Sequence, residues 1–439
     1  MSNISIIKLS EGEERDLISL RREFHSYPEL GWTEYVTTWK IAKALQGLAF
    51  SLYVGQDAVE SDSRMGVPTP RQIDSEEQRA KSYGVPKELM KKMKGGCTGL
   101  AAILDTGRKG PHIALRFDID ALPIQEEQSN DHFPFYHAFS SSRDDVMHAC
   151  GHDGHTAVGV FLAKYLDRVK DQLNGKISIL FQPAEEGVRG AKAMVEKGWL
   201  EEVDYFLSGH IGIMKERKTG EVTTCTGGFL STSKYDIEFI GKSAHAGKEP
   251  EEGNNALLAA ATTALNLHGI SRHSDGATRI NVGKLNGGQG RNTIPVHAKM
   301  EIETRGETSN LNRFMEQELK RIARGAAQMY DVKVNLDLVG HASSAESDHT
   351  LSETLQAVLS HSNQVHAIHD YGELGASEDA TLMMERVKNN GGKAAYLLFG
   401  AEIIEGHHHS SFDYSESALR IAFETYLNTI IVLQGEYRC

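Results

Sequence analysis

The stretch "GHTAVGVFLAKYLDRVKDQLNGKISILFQP", Gly154 to Pro183, reads as an apolar helix followed by a short apolar strand. On either side of it, "TGLAAILD" (98–105), "HIALRFDID" (112–120) and "VDYFLSGHIG" (203–212) are further apolar runs of strand length, and "GAKAMVEKGWL" (190–200) is a further helical one. Strand alternating with helix predicts an α/β fold, a mixed, mostly parallel sheet with flanking helices. Polar residues come just after the apolar part of three of these strands. In open α/β sheets that is where ligands bind.

Upstream, apolar residues recur at helical spacing from Asp16 to Phe24 and from Thr37 to Leu45, separated by the "SYPELGW" break, which predicts a helix pair. The polar segment from Glu60 to Gly96 reads as an insertion with one short helix near its end, expected to be peripheral and mobile. Around Thr224 the pattern changes. "SKYDIEFIG", "TRINVGKLNGG", "HAKMEIETRG" and "VKVNLDLV" alternate like half-buried strands, while "NNALLAAATTALNLHGI" and "NLNRFMEQELKRIARGAAQMY" are helical. This predicts an inserted α+β sandwich domain over 228–340, set within a discontinuous first domain made of 1–227 and 341–439. A chain of 439 residues exceeds what one hydrophobic core usually serves, in keeping with two domains.

The formal charge of −13 argues against nucleic acid or an anionic membrane as partner, since either asks for clustered Lys and Arg, and leaves a small molecule or peptide. No basic-then-apolar leader and no membrane-length apolar run is visible, so a cytoplasmic protein is expected. Cys97, Cys150, Cys225 and Cys439 are scattered without a CxxC pair and do not resemble a disulfide framework.

"MHACGHDGHTA" (147–157) concentrates His148, Cys150, His152, Asp153 and His155 among small residues, a poor recipe for a core. Cys150 and His152 are two apart, so both side chains can point one way, and Gly151 and Gly154 would let the backbone approach an ion. A thiolate with imidazoles and carboxylates suits a divalent transition metal. The plainer alternative is a polar loop with an incidental cysteine. "FQPAEEGVRGA" delivers the adjacent carboxylates Glu185 and Glu186 after a strand; such a pair is costly unless a cation sits beside it. One could ligate while the other acts as general base, or both could simply be a solvated helix start. His210 in "LSGHIG" ends another strand, and a lone histidine there is more often structural than catalytic. "EGHHHSSFDYSE" adds His407, His408 and His409. Cys150, His152, Glu186, His210 and one of these three make five ligands, one more than a closed tetrahedral site takes and enough for two metals sharing a bridge.

Together with "LRREFHSYPELGWTE" (20–34), "ALRFDIDALPIQE" (114–126), "GKSAHAGKEPEEGNNAL" (241–257) and "GGQGRNTIPVHAKMEIETRG" (287–306), these motifs give the chain a resemblance to the co-catalytic metallopeptidase and amidohydrolase family that includes hippurate hydrolase, aminoacylase and auxin-conjugate hydrolases. The motifs run in family order from near residue 20 to near residue 420. The resemblance implies two divalent metal ions, Mn ahead of Zn, with Cys150 as bridge and His152, Glu186, His210 and His408 as ligands. His408 is selected because Phe412 and Asp413 set the register. It further implies Glu185 as general base and His245 of "SAHAG" as the donor to the oxyanion, reaching from a partner protomer. Asn292 and Arg305 match positions near the substrate, and Arg272 is a candidate for its carboxylates by type. Without the resemblance, His245 reads as a loop histidine and Arg305 as a strand-end surface arginine.

"RFDID" departs from the His-x-Asp of relatives with an Asp bridge, so Asp120 is given only an orienting role; Asp153 and His155 are expected to support the loop. The activity implied is hydrolysis of an acyl–amino-acid amide. A homodimer, or a heterodimer with a homologous B subunit, is implied as the working form. The rival from another class, a non-catalytic metal-stabilised binding subunit, predicts a damaged base or ligand set, and both are intact here.

Overall fold

The computed structural model describes residues 6–435. In chain order its strands are β1 Ser51–Val54, β2 Leu100–Asp105, β3 His112–Asp118, β4 Lys176–Gln182, β5 Tyr205–Ile211, β6 Glu221–Thr223, β7 Thr226–Gly227, β8 Ser231–Ile240, β9 Thr278–Gly287, β10 His297–Gly306, β11 Lys333–Ala342, β12 Ala367–His369, β13 Gly372–Glu373 and β14 Lys393–Phe399. The described residues divide into two compact units, one drawn from 6–227, 345–374 and 379–435, the other from 228–344 and 375–378.

The first unit is built on an eight-stranded sheet ordered β1-β2-β4-β3-β5-β14-β6-β12. β4, β3, β5 and β14 are parallel neighbours at its centre, and the antiparallel pairs β1/β2, β2/β4 and β14/β6 lie to either side of that block. Central parallel strands are covered on both faces, which is why "IALRF" and "ISILF" are apolar almost throughout rather than alternating. The helix His152–Val169 buries residues from His152 to Leu166, and the helix Ser417–Leu433 is buried along almost its whole length. Each large side chain so removed from water contributes about 1.5–3 kcal/mol. Asp118 pairs with Gln182, and Leu398 with His210, so the carboxyl ends of β3 and β4, and of β5 and β14, fall level within each parallel pair.

The Glu60–Gly96 segment is not a peripheral, loose excursion. It carries two helices, Pro70–Tyr83 and Lys87–Lys92, the first closed by a capping box from Thr69 and Gln72. Ile73, Ala80, Val85, Met90 and Met93 are buried. The expectation failed because a polar composition hides apolar residues spaced at helical intervals on one face.

The second unit is a four-stranded antiparallel sheet ordered β11-β8-β10-β9. Tyr235, Ile237, Phe239, Met300 and Ile302 of one sheet face pack with Ala259, Ala260, Leu319 and Ala323 from the helices Ala256–Leu267 and Ser309–Met329. The other face carries Lys234, Asp236, Lys299, Glu303 and Arg305, the alternation a one-sided sheet requires.

Candidate metal centre

The chemistry-bearing residues of the first unit converge just past the carboxyl ends of β3, β4 and β5. Cys150 precedes Gly151, whose φ of 84° starts the helix that opens with His152. Glu185 and Glu186 sit in a turn between β4 and the helix Ala191–Glu196, so they are not its solvated first turn. His210 is the penultimate residue of β5. Ala184, Val188 and His408 have positive φ (53°, 58° and 63°), a backbone cost of about 1–3 kcal/mol each that surrounding contacts must offset.

Those contacts are specific. Asp120 accepts the backbone N–H of Glu185 and of Glu186, each at 3.0 Å, and Glu34 accepts that of Ala184 at 2.7 Å. Asp120 thus fixes the glutamate turn, and its backbone carbonyl takes the Nδ1–H of His152 at 2.9 Å. That bond leaves His152 Nε2 aimed inward, able to offer its lone pair to an ion. His210 is fixed in the same way, Nδ1 to the carbonyl of Ile211 at 2.9 Å, with Nε2 3.5 Å from Cys150 Sγ. A metal-binding histidine is oriented by its second nitrogen in this manner. His155 has both nitrogens engaged, Nδ1 with Asp118 at 2.6 Å and Nε2 accepting from Ile211 N–H at 3.0 Å, and serves the scaffold. Asp153 does too, receiving Arg21 at 2.7 Å and His25 at 2.9 Å.

The expected ligands come together. Ligand atoms of Cys150, His152 and His210 lie within 4.8 Å of one another, as do those of Cys150, Glu186 and His408, and those of His152, Glu185 and Glu186. His408 Nε2 is 3.6 Å from Glu186 Oε1, and its backbone N–H is tied to the Ala149 carbonyl at 2.9 Å. His407 instead stands edge-on to His210 and packs on Phe412, and His409 Nδ1 accepts from Ser411 N–H. Gly154 makes room for the hydroxyl of Tyr414, which a Cβ there would meet at 1.9 Å; it is not an approach to an ion.

The donor set fits a metal on this structure's own evidence. His152 Nε2 and Glu186 Oε1 are buried without a hydrogen-bond partner. Orphaned buried polar atoms are costly unless an ion or a water satisfies them. Burial, then Asp120 and Asp118, pushes the Glu186 carboxyl up to about 7 against the pull of His152, and burial followed by Glu186 raises the Cys150 thiol. His152, despite burial, is held well above its usual value by Asp118 and Cys150, while burial and the neighbouring His155 lower His210. The negative field that draws a proton to His152 would draw a cation, which inverts the balance at the thiol and the carboxylate.

In the second unit His245 and Asn292 are neighbours, joined by Ala246 N–H to the Asn292 carbonyl at 3.0 Å and by the bridge of His245 with Thr293. Arg305 is not free to meet an anion: it is engaged by Glu303 at 3.0 and 3.1 Å. Arg272 lies exposed beyond the helix Ala256–Leu267, and the arginine that the sheet register sets opposite Arg305 is Arg279. Glu34, Arg116 and Asp379 carry no local signal in the sequence. For Asp118 the "DID" spacing was the one available signal.

The profile of peptidase family M20/M25/M40 matches residues 114–431. The indole-3-acetyl-aspartic acid hydrolase of Enterobacter agglomerans is 44% identical over 93% of this chain and 94% of its own. The A subunit of p-aminobenzoyl-glutamate hydrolase from Escherichia coli K12 is 43% identical over 94% of each. Among solved structures, the aminobenzoyl-glutamate utilization protein of Klebsiella pneumoniae superposes with a TM-score of 0.83 at 37% identity, covering 97% of this chain and 98% of that one. With a profile match across most of its length and relatives above two-fifths identity, the chain is a hydrolase of peptidase family M20/M25/M40.

Proposed function

We propose that the protein hydrolyses the amide bond of p-aminobenzoyl-glutamate, a fragment of folate, releasing p-aminobenzoate and glutamate. The observation that carries the hydrolytic reading is the set of three overlapping ligand groups through Cys150, His152, His210, Glu186 and His408, with Glu185 in the third. The substrate reading is supported by the relative and the solved structure named for aminobenzoyl-glutamate. A second substrate, indole-3-acetyl-aspartate, has support of equal weight from the relative named for it. Both are aromatic acyl groups on an acidic amino acid.

Two divalent ions, manganese ahead of zinc, would be held by Cys150 as bridge with His152, Glu186, His210 and His408, and would supply Lewis acidity toward the scissile carbonyl and the attacking water. Mixed soft and hard donors accept either metal, and the family resemblance favours manganese. Glu185 takes the proton from the attacking water and returns it to the departing amine nitrogen. His245, from a second protomer, donates to the developing oxyanion, a role that requires a donor placed where charge appears. Asn292, Arg305 and Arg272 are the proposed substrate contacts, with Arg305 first having to leave Glu303.

Pairing with a second copy or a homologous B subunit is proposed through the second unit. Its edge strand β9 is open on one side, and Leu258 and Leu265 of the adjoining helix are 48% and 78% exposed. No helix among the described residues is long and apolar enough to cross a membrane, and we place the protein in the cytoplasm.

Release of p-aminobenzoate by metal-stripped, Mn-refilled protein, run beside Glu185→Ala and beside indole-3-acetyl-aspartate, tests the proposal. Mn-dependent release that drops about a thousandfold in the variant supports substrate and base together. Turnover of the indole compound alone moves the protein to the second reading, and no turnover of either with metal bound rejects both.

A further inference from the structure

We infer that Asp379 is a positioning residue that holds the glutamate turn in register with the Asp118–His152 side of the metal centre. The inference rests on the reading of Cys150, His152, Glu186, His210 and His408 as metal ligands. It does not rest on any substrate.

Asp379 is fully buried and occupies the N-cap of the helix Ala380–Asn389, yet its side chain makes no capping bond to that helix. Aspartate is among the best N-cap residues, so a cap position whose carboxylate is turned elsewhere asks what it holds instead. Its Oδ2 accepts the backbone N–H of Gly190 at 3.0 Å and of Ala191 at 2.9 Å, the far end of the turn that carries Glu185 and Glu186. Its Oδ1 accepts Gln182 Nε2 at 2.8 Å and Arg116 Nη2 at 3.1 Å. Arg116 in turn donates through Nη1 to Asp118 at 2.7 Å and through Nε to Gln182 Oε1 at 2.8 Å. The remaining oxygen of Asp118 holds His155, and Asp118 Oδ2 lies 3.8 Å from His152 Nε2.

One carboxylate therefore bridges the two walls of the centre. On one side it fixes the turn bearing Glu186; on the other, through Arg116, it fixes the acid that faces His152. Its oxygen lies within 4.8 Å of a Glu185 oxygen, close enough to be mistaken for a ligand. But a carboxylate has about four acceptor sites, and here four donors fill them. Asp379 acts through other residues and does not ligate.

The decisive variant is Asp379→Asn. Both oxygens face donors, and an amide keeps one acceptor and replaces the other by a donor, so either orientation of the side chain loses one wall. Partners one layer out from a metal change its affinity by about tenfold to a hundredfold. The experiment titrates Mn into the metal-stripped full chain by calorimetry, with the melting temperature of each apo-protein recorded alongside. Glu424→Gln is the control for loss of a buried carboxylate as such: Glu424 is buried, accepts Leu9 N–H and Arg420 Nε, and belongs to none of the ligand groups. Affinity at least about tenfold weaker in Asp379→Asn and unchanged in Glu424→Gln supports the inference.

Mn affinity close to wild type in Asp379→Asn, with only a lower melting temperature, overturns it, as does an equal loss of affinity in the control. Should Asp379→Asn not fold, Arg116→Lys carries the same test, because an ammonium keeps the charge but cannot fork between Asp118 and Asp379. Wild-type protein that binds no Mn would remove the ligand reading itself, and with it this inference.

Discussion

A single bond on the back of an imidazole decides what His152 can do: with Nδ1–H committed to the Asp120 carbonyl, Nε2 is the nitrogen left to meet an ion. Shared ligand grouping, rather than such a bond, separates the three C-terminal histidines. Only His408 shares a ligand group with Cys150 and Glu186, so His408→Ala should lower bound Mn by about one ion per chain while His407→Ala leaves the stoichiometry intact, as read by elemental analysis of the dialysed proteins. A second prediction concerns His25. Burial disfavours its charge, but its hydrogen bonds to Asp153 and Glu126 prevail and lift it to about 9 from an ordinary value of 6.5. Because the folded value is the higher one, the stabilisation is fully present below about pH 6.5 and is lost as pH rises through about 9, a span of about 3 kcal/mol. Thermal melts from pH 6 to 10 should therefore fall more steeply for wild type than for His25→Gln; parallel curves would show that His25 is not charged in the fold. Glu185, Glu186 and His210 were legible because each breaks an apolar pattern at or within a few residues of a strand end, and Cys150 because it stands among histidines and glycines that make no core. Arg116 and Asp379 were not, since a strand arginine and a helix-start aspartate are ordinary locally and meet only across 263 positions.

Among the elements, the central strands and their helices could be read from periodicity alone, because parallel strands buried on both faces and a long apolar helix leave unmistakable runs. The Glu60–Gly96 segment could not, its apolar face being diluted among charges. Its attachment is also non-local: Arg189 donates to the Gly66 carbonyl at 3.1 Å and to that of Glu186 at 2.7 Å, so the insertion is fastened to the glutamate turn itself. Trp32, wholly buried, adds a bond from Nε1 to the Met65 carbonyl at 2.7 Å. The start of the helix His152–Val169 is equally constrained, by Tyr414. Gly154→Ala would drive its methyl into the Tyr414 hydroxyl and must push apart this helix and the Asp413–Tyr414 segment, both of which are anchored on Arg21. Overpacking of this kind costs about 1–3 kcal/mol. Urea titration should show that loss at an unchanged slope, whereas Gly47→Ala, where a Cβ meets nothing within 4 Å though φ is 85°, should cost only the strain of its backbone, about 1 kcal/mol.

For the whole molecule the question is whether one chain is enough. The open edge of β9 and the exposed Leu258 and Leu265 give the second unit a surface suited to a like partner, and a two-fold interface would present each chain's His245 loop to the other in the same way. Two consequences can be separated. Leu265→Asp should shift the sedimentation coefficient toward the monomer and lower turnover with it, because a charge on an interface core is left without a partner. Whether His245 acts on its own chain or the other then follows from complementation. Glu185→Ala and His245→Ala are each expected to be inactive as pure assemblies. In a mixed pair, the site that keeps its own Glu185 receives an intact His245 only if that histidine comes from the other chain. Random exchange of equal amounts makes about half the dimers mixed, each with one whole site, so about a quarter of wild-type activity should return. Return of that activity, its disappearance when the Leu265→Asp change is added to both chains, and unaltered metal content throughout would place the second catalytic group across a protomer boundary; a mixture that stays silent while sedimentation shows mixed dimers would put His245 and Glu185 to work within one chain.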